Sequence, residues 1–235
     1  LKSRTLALFA GTALAVAAGA MFVGGATAQN KEPIKIGFGM AQTGPLAANG
    51  KQALLGMKIW EEEINAKGGL LGRPVKLVYY DDQSNPSTVP GIYTKLLDVD
   101  KVDLVVGPYA TAMIAPAMPV VISKNKVFIG SGPASSDLTG PNCNANTVHW
   151  TYDTWMLANG TGKAVVQTGG DTWFFLTADY AFGQALERDT SKVVVANGGK
   201  VVGSVRHPLN TADFSSFLLQ AQSSKAKIIG LANAG

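Results

Sequence analysis

The residues best suited to bind a small molecule follow a short apolar run that ends at Val106. The segment Gly107-Pro108-Tyr109-Ala110-Thr111 leads from this predicted strand into a predicted helix. Backbone N–H groups in the first turn of a helix have no partner within it, and the positive end of the helix dipole lies there. Together with the Thr111 hydroxyl, these groups would suit a carboxylate. The alternative is that Thr111 only caps the helix.

A second loop of small residues follows the next predicted strand. It runs Gly130-Ser131-Gly132-Pro133-Ala134-Ser135-Ser136 and exposes its backbone, so a ligand could approach closely at Gly132, Pro133 and Ala134. A plain connection between a strand and a helix would have the same composition. The sequence leaves both interpretations open.

Patterns that would indicate an enzyme are incomplete or missing. Gly37 and Gly39 follow a strand, but Gln42 stands where a dinucleotide fingerprint needs its third glycine. The chain has neither a phosphate-binding loop nor the nucleophile turn of hydrolases. Asp81 and Asp82 end a strand, where loop and capping roles are commoner than an acid/base pair or a metal site. We therefore predict no enzyme and no cofactor, and an α/β enzyme is the competing interpretation.

Metal binding and nucleic-acid binding are also disfavoured. The two histidines, His149 and His207, and the single cysteine, Cys143, are too far apart to match a zinc pattern. The net charge is +4, and no run of lysine or arginine is interleaved with aromatic residues. We expect neither a metal nor a nucleic-acid partner.

The first 28 residues have the pattern of an export signal. Lys2 and Arg4 precede an apolar stretch from Leu6 to Val23, and Ala26-Thr27-Ala28 matches a cleavage site. We predict cleavage after Ala28 and a periplasmic mature protein. A membrane anchor is the alternative, since the apolar stretch is nearly long enough to span a bilayer.

Beyond residue 28, strand and helix patterns alternate, which is typical of parallel sheets covered by helices on both faces. The alternation breaks at 142–154, which we interpret as the first crossing between two lobes, 29–150 and 151–235. We expect the second lobe to be incomplete at Gly235. The predicted strands are 34–39, 74–80, 102–106, 127–130, 172–177, 200–205 and 226–232, and the predicted helices are 51–66, 87–98, 112–124, 155–168, 182–197 and 212–223.

Six segments resemble the leucine/isoleucine/valine-binding family of type I periplasmic binding proteins. They occur in the order and spacing of that family, which makes the resemblance specific although no segment is decisive. It implies two Rossmann-like lobes joined by a hinge, and it runs from about Pro33 to the end of the chain. The segments are Thr43–Gly50, Ile64–Pro74, Tyr80–Pro86, Val105–Pro108, Asp179–Gly183 and Asp213–Ser215.

The resemblance also implies a binding site. Members that bind branched-chain amino acids hold the ligand carboxylate with a hydroxyl at the position of Thr111 and a second hydroxyl where this chain has Ala134. A tyrosine that holds the amino group is replaced by Ala234. Of two aromatic wall positions, Phe182 fits and Asn49 departs. The predicted ligand-binding residues are Asn49, Tyr109, Ala110, Thr111, Gly132, Pro133, Ala134, Tyr180 and Phe182.

These departures favour a small or aromatic carboxylate over a branched-chain amino acid. Tyr109, Trp150, Tyr152, Tyr180 and Phe182 lie near the predicted cleft, where aromatic faces could stack on a ring. Trp150 and Tyr152 would serve equally well as packing for the segment between the lobes. The ligand prediction rests on these aromatic side chains and on the alanines, Ala134 and Ala234, that replace the family's hydroxyl and tyrosine.

The function that the resemblance implies is solute capture for an ABC importer. The protein would close its lobes on a ligand, act as a monomer, and dock onto permease subunits in the membrane without a cofactor of its own. The alternative is the ligand-sensing domain of a signalling receptor or regulator. The same lobes would serve either role.

Overall fold

The structure is a computed structural model that describes residues 32–233. The predicted signal segment and Ala234 lie outside these residues. Eight strands and seven α-helices make up the described part of the chain. In order they are β1 (Ile34–Met40), α1 (Ala47–Ala66), β2 (Val75–Asp81), α2 (Val89–Asp98), β3 (Leu104–Val106), α3 (Thr111–Ser123), β4 (Phe128–Gly130), β5 (Thr147–His149), α4 (Thr154–Leu157), α5 (Lys163–Gln167), β6 (Thr172–Ala178), α6 (Ala181–Ala196), β7 (Lys200–His207), α7 (Ser215–Ser223) and β8 (Ile228–Ala232). They alternate except where β5 follows β4 and α5 follows α4.

The strands form two parallel sheets. The first has the order β2-β1-β3-β4-β5, and the second has the order β7-β6-β8. Neighbouring strands are parallel throughout, so the carboxyl ends of each sheet lie on one edge. The predicted α/β class with parallel sheets is confirmed.

Apolar side chains cover the first sheet on both faces. One buried cluster, with Tyr93, Ile114 and Phe128, includes side chains of α2 and α3. The other, with Ile36, Phe38 and Leu54, joins β1 and β2 to α1. Both faces are buried because parallel strands are connected by helices that pack back on the sheet. The sheet is therefore a rigid support for the loops at its carboxyl edge.

The second sheet packs against α5 and α6 through Val166, Trp173, Phe175 and Val194. Leu209, from the loop after β7, packs against the large cluster of the first sheet. The two sheets therefore contact each other through a loop as well as through the chain that links them. None of the helices in residues 32–233 is both long and apolar enough to cross a membrane.

Several boundaries differ from the sequence-based expectation: the predicted helix 155–168, for example, is divided into α4 and α5. Two of the differences affect residues near the site. Helix α1 begins at Ala47 rather than residue 51, so Asn49 is helical. The segment 142–154 contains an edge strand, β5, which pairs with β4. Its short, polar pattern gave no strand signal, because an edge strand this short is set by backbone pairing to its neighbour rather than by burial.

Candidate functional site

A small cavity lies where the loop after β3, the loop after β4 and the start of α6 meet. Its volume is about 50 Å³, which has room for a few water molecules. It is lined by Tyr109, Ala110, Thr111, Gly132, Ala134, Tyr152, Tyr180 and Phe182. Seven of these eight residues belong to the predicted binding set, and Tyr152 is the addition.

Thr111 is the first residue of α3, and its side chain joins two loops. Its Oγ1 accepts a hydrogen bond of 3.0 Å from the backbone N–H of Ala134. The residue that precedes the helix is Ala110, with an extended backbone, so Thr111 does not cap α3. Because the hydroxyl oxygen accepts this bond, its proton remains available to donate to an anion, and no described residue accepts it. Thr111 is 6% exposed.

Gly132 allows the loops after β3 and β4 to touch. A Cβ atom there would overlap the carbonyl oxygen of Tyr109 and lie 2.8 Å from that of Pro108. Only glycine permits this approach, which keeps Ala134 within reach of Thr111. The loop after β4 is therefore more than a simple connection, because it forms one wall of the cavity.

Two predicted site residues do not line the cavity. Asn49 lies half-buried in the first turn of α1. Pro133 is buried, and its carbonyl oxygen lies 2.7 Å from Nε2 of His149. A carbonyl can only accept, so Nε2 of His149 carries a proton in this contact. Pro133 supports the loop through its backbone.

Aromatic side chains form the opposite wall. Tyr180 and Phe182, at the start of α6, have ring centroids 6.1 Å apart at an angle of 43°. Burial raises the pKa of Tyr180 above its ordinary value, and the neighbouring Tyr109 and Tyr152 raise it further. Burial also raises the pKa of Tyr109. The hydroxyls of Tyr180 and Tyr109 therefore stay protonated at neutral pH and can donate hydrogen bonds. Trp150 is 73% exposed and does not line the cavity.

Tyr152 was not in the predicted binding set, although it was among the aromatic residues noted near the cleft. It follows β5 and precedes α4, in the segment that links the two sheets. Its sequence neighbours show no periodic pattern that would place it in a wall. The only signal was its aromatic character in a segment where the strand and helix alternation breaks.

The electrostatics of the cavity favour an anion. Among the described residues, those that line it include no charged side chain. Thr111 is the first residue of α3, so the positive end of that helix dipole lies at the Thr111 side of the cavity. The residues described also contain no cluster of histidine, cysteine or acidic side chains able to hold a metal ion.

These features define a class of protein: an α/β protein with two parallel sheets and a small cavity at their strand ends. The sequence matches the family described as periplasmic binding protein over residues 33–235, and the chain belongs to that family. The predicted family is thereby confirmed. Its membership agrees with the prediction that the chain is not an enzyme, and it implies an extracytoplasmic location.

Individual relatives agree with this assignment. A periplasmic binding protein from Burkholderia mallei is 47% identical, with a TM-score of 0.81, over 87% of this chain and 54% of its own. A solute-binding protein of an R. palustris ABC transporter, solved with 4-hydroxybenzoate, is 26% identical, with a TM-score of 0.76, over 85% of this chain and 54% of its own. The Leu/Ile/Val-binding protein BraC3 of Rhizobium johnstonii is 28% identical over 83% of this chain and 53% of its length. The chain thus spans about half the length of the curated relatives it matches.

Proposed function

We propose that this protein is the extracytoplasmic substrate-binding component of an ABC importer and that it captures a small, preferably aromatic, carboxylate. The observation that carries the proposal is the pairing of the Thr111 hydroxyl and the α3 N-terminus with an aromatic wall in one cavity. An anion gains from the helix N-terminus, and a ring gains from the tyrosines and Phe182.

The composition of the lining supports an aromatic acid over an amino acid. A ligand ammonium needs a carboxylate or several acceptors when it leaves water. No acidic side chain of the described residues lines the cavity, and Ala134 contributes no hydroxyl. The relative from R. palustris that was solved with 4-hydroxybenzoate supports the aromatic choice, whereas the relative named for leucine, isoleucine and valine supports the other.

The small cavity supports capture by hinge closure. Its volume of about 50 Å³ is smaller than the roughly 150 Å³ of a cavity that holds benzene, so we propose that the walls move apart to admit a ring. We propose that lobes 29–150 and 151–235 open about the segment that contains Tyr152, and that ligand closes them. Export through cleavage after Ala28, a monomeric state and docking on permease subunits complete the proposal. The predicted roles of Asn49 and Pro133 stay predictions.

A thermal-shift screen tests the ligand class. The purified protein is heated with benzoate, 4-hydroxybenzoate, benzamide, leucine or isoleucine. A ligand at about 100 times its Kd should stabilise the protein by about 2.7 kcal/mol. Benzamide is the matched control, because it keeps the ring but has no charge. We expect benzoate and 4-hydroxybenzoate to raise the Tm and benzamide and the amino acids to leave it unchanged.

Other outcomes separate the parts of the proposal. Stabilisation by leucine or isoleucine alone would contradict the aromatic preference and leave solute capture standing. Stabilisation by benzamide as strong as that by benzoate would contradict the role of the α3 N-terminus. An unchanged Tm with every compound would favour the alternative, the ligand-sensing domain of a regulator.

A further inference from the structure

Asp189 joins both walls of the cavity from a position outside it. It lies in α6, whose first turn carries Phe182, and it is 7% exposed. Its Oδ2 atom accepts hydrogen bonds of 2.6 Å from the hydroxyls of both Ser136 and Thr154. Ser136 is the last residue of the small-residue loop after β4, and Thr154 begins α4. One carboxylate oxygen thus ties three segments together.

The bonds continue from Asp189 to the Thr111 hydroxyl. Thr154 accepts a bond of 3.0 Å from the N–H of Ser136 and donates its own N–H to the Ala134 carbonyl at 2.8 Å. The N–H of Ala134 in turn donates to Thr111 Oγ1. Three hydrogen bonds, through Thr154 and Ala134, therefore connect Asp189 to the Thr111 hydroxyl, which would contact a ligand carboxylate.

The charge of Asp189 is held in place. Burial opposes its ionisation, but hydrogen bonds from Arg188, Ser136 and Thr154 outweigh burial and hold its pKa below the usual value. The guanidinium of Arg188 donates to Asp189 Oδ1 at 3.0 Å and also pairs with Asp137 at 2.9 Å. An ionised carboxylate, with lone pairs only, is the group that can accept from two hydroxyls and a guanidinium together.

We propose that Asp189 is a positioning residue for ligand binding: it fixes the Ala134–Ser136 wall against α6 and so sets the geometry at Thr111. The inference rests on the proposed function for its effect on affinity. Its effect on the wall stands independently. Because α6 carries Tyr180 at its start and Phe182 in its first turn, the same helix supports the aromatic wall and holds the opposite loop.

The test compares Asp189→Asn with Asp137→Asn in the complete protein. Asparagine keeps the size of Asp189, but its NH₂ group cannot accept a hydrogen bond. Either both hydroxyls, which share Oδ2, or Arg188, which uses Oδ1, therefore loses its acceptor. Asp137→Asn is the matched control. It also removes one carboxylate charge that pairs with the Arg188 guanidinium, but Asp137 bonds to neither Thr154 nor Ala134. The measurements are hydrogen exchange at the amides of Ala134 and Ser136 and the Kd for benzoate.

We expect both amides to exchange at least about tenfold faster in Asp189→Asn, and the Kd for benzoate to rise about tenfold, because a hydrogen bond to a charged group is replaced by a weaker one. Asp137→Asn should match the unaltered protein in both. Ser136→Ala, which removes one donor and keeps the carboxylate, should give the same pattern at smaller size. It serves as the second variant if Asp189→Asn does not fold.

Three results would overturn the inference. They are unchanged exchange at both amides, faster exchange with an unchanged Kd, and an equal effect of Asp137→Asn. If the unaltered protein binds no compound of the screen, the proposed function fails, and the exchange rates alone then support or overturn the role of Asp189 in the wall.

Discussion

A single hydroxyl, that of Thr111, joins the loops after β3 and β4 and lines the cavity. Its oxygen accepts the Ala134 N–H, and its proton is left for a ligand. Gly132 makes the same junction possible by having no side chain.

Replacing Thr111 by valine should weaken benzoate binding by about 10- to 100-fold, because a hydrogen bond to a charged group contributes about 1.5–3 kcal/mol. The buried N–H of Ala134 also loses its acceptor, so the Tm should fall. Isothermal titration and thermal unfolding measure the two effects. Thr111→Ser, which keeps the hydroxyl, is the control. Equal binding by the valine and serine variants would contradict the role of the hydroxyl.

Gly132→Ala should destabilise the protein by about 1–3 kcal/mol, because its methyl group would collide with the backbone of Tyr109. Gly56→Ala is the matched control. Gly56 lies within α1 with open space around it, so alanine there should stabilise by about 0.5–1 kcal/mol. Urea unfolding measures both. A Gly132→Ala variant as stable as Gly56→Ala would show that the loops can separate without cost.

At the end of β2, two adjacent carboxyl groups have pKa values shifted in opposite directions. Asp81 lies at the strand end and accepts hydrogen bonds from Thr43 and Gln42, and these outweigh its desolvation and lower its pKa. Asp82 is 1% exposed, and burial raises its pKa. Its Oδ1 accepts the Ser84 N–H, whereas Oδ2 has no described partner. Successive side chains of an extended chain point to opposite sides, so Asp81 is partly exposed whereas Asp82 is buried.

The pH dependence of unfolding should therefore change in opposite directions at these positions. The folded state binds the Asp82 proton more tightly than the unfolded state, whose pKa is about 3.9. Stability from this group is greatest below that value and is lost as pH rises through the raised folded pKa.

Asp82→Asn should raise the Tm at pH 7 and have less effect at pH 3.5. Asp81→Asn should lower the Tm at pH 7, since its stabilising ionised form is lost. Thermal unfolding between pH 3.5 and 7 measures both, and a lower Tm for Asp82→Asn at pH 7 would contradict the burial argument.

The whole molecule is organised around two sheets that share one cavity. Tyr109 and Thr111 come from the first sheet, whereas Tyr180 and Phe182 come from the second. Leu209 adds an apolar contact from the second sheet to the core of the first. A ligand that contacts both sides would favour the closed arrangement by its differential affinity.

Benzoate should therefore reduce the radius of gyration of the protein in solution. Small-angle X-ray scattering with and without saturating benzoate measures the change, and Thr111→Val at the same concentration provides the control. The radius of the valine variant should stay at the value of the ligand-free protein. A benzoate-bound protein with an unchanged radius would contradict hinge closure while leaving binding intact.

Periodicity and turn residues sufficed to predict the parallel α/β class and most helices and strands, because burial on both faces of a sheet leaves a local pattern in runs such as 172–177. The sequence also placed Thr111 and Gly132 in loops at the carboxyl ends of strands, where parallel sheets bind ligands. The helical state of Asn49, the wall position of Tyr152 and the bonds of Asp189 could not be read in this way. The wall position of Tyr152 and the bonds of Asp189 depend on segments far apart in the chain, such as Asp189 and Ser136, 53 residues apart. Contacts of that kind arise only when the packing of whole elements brings the segments together.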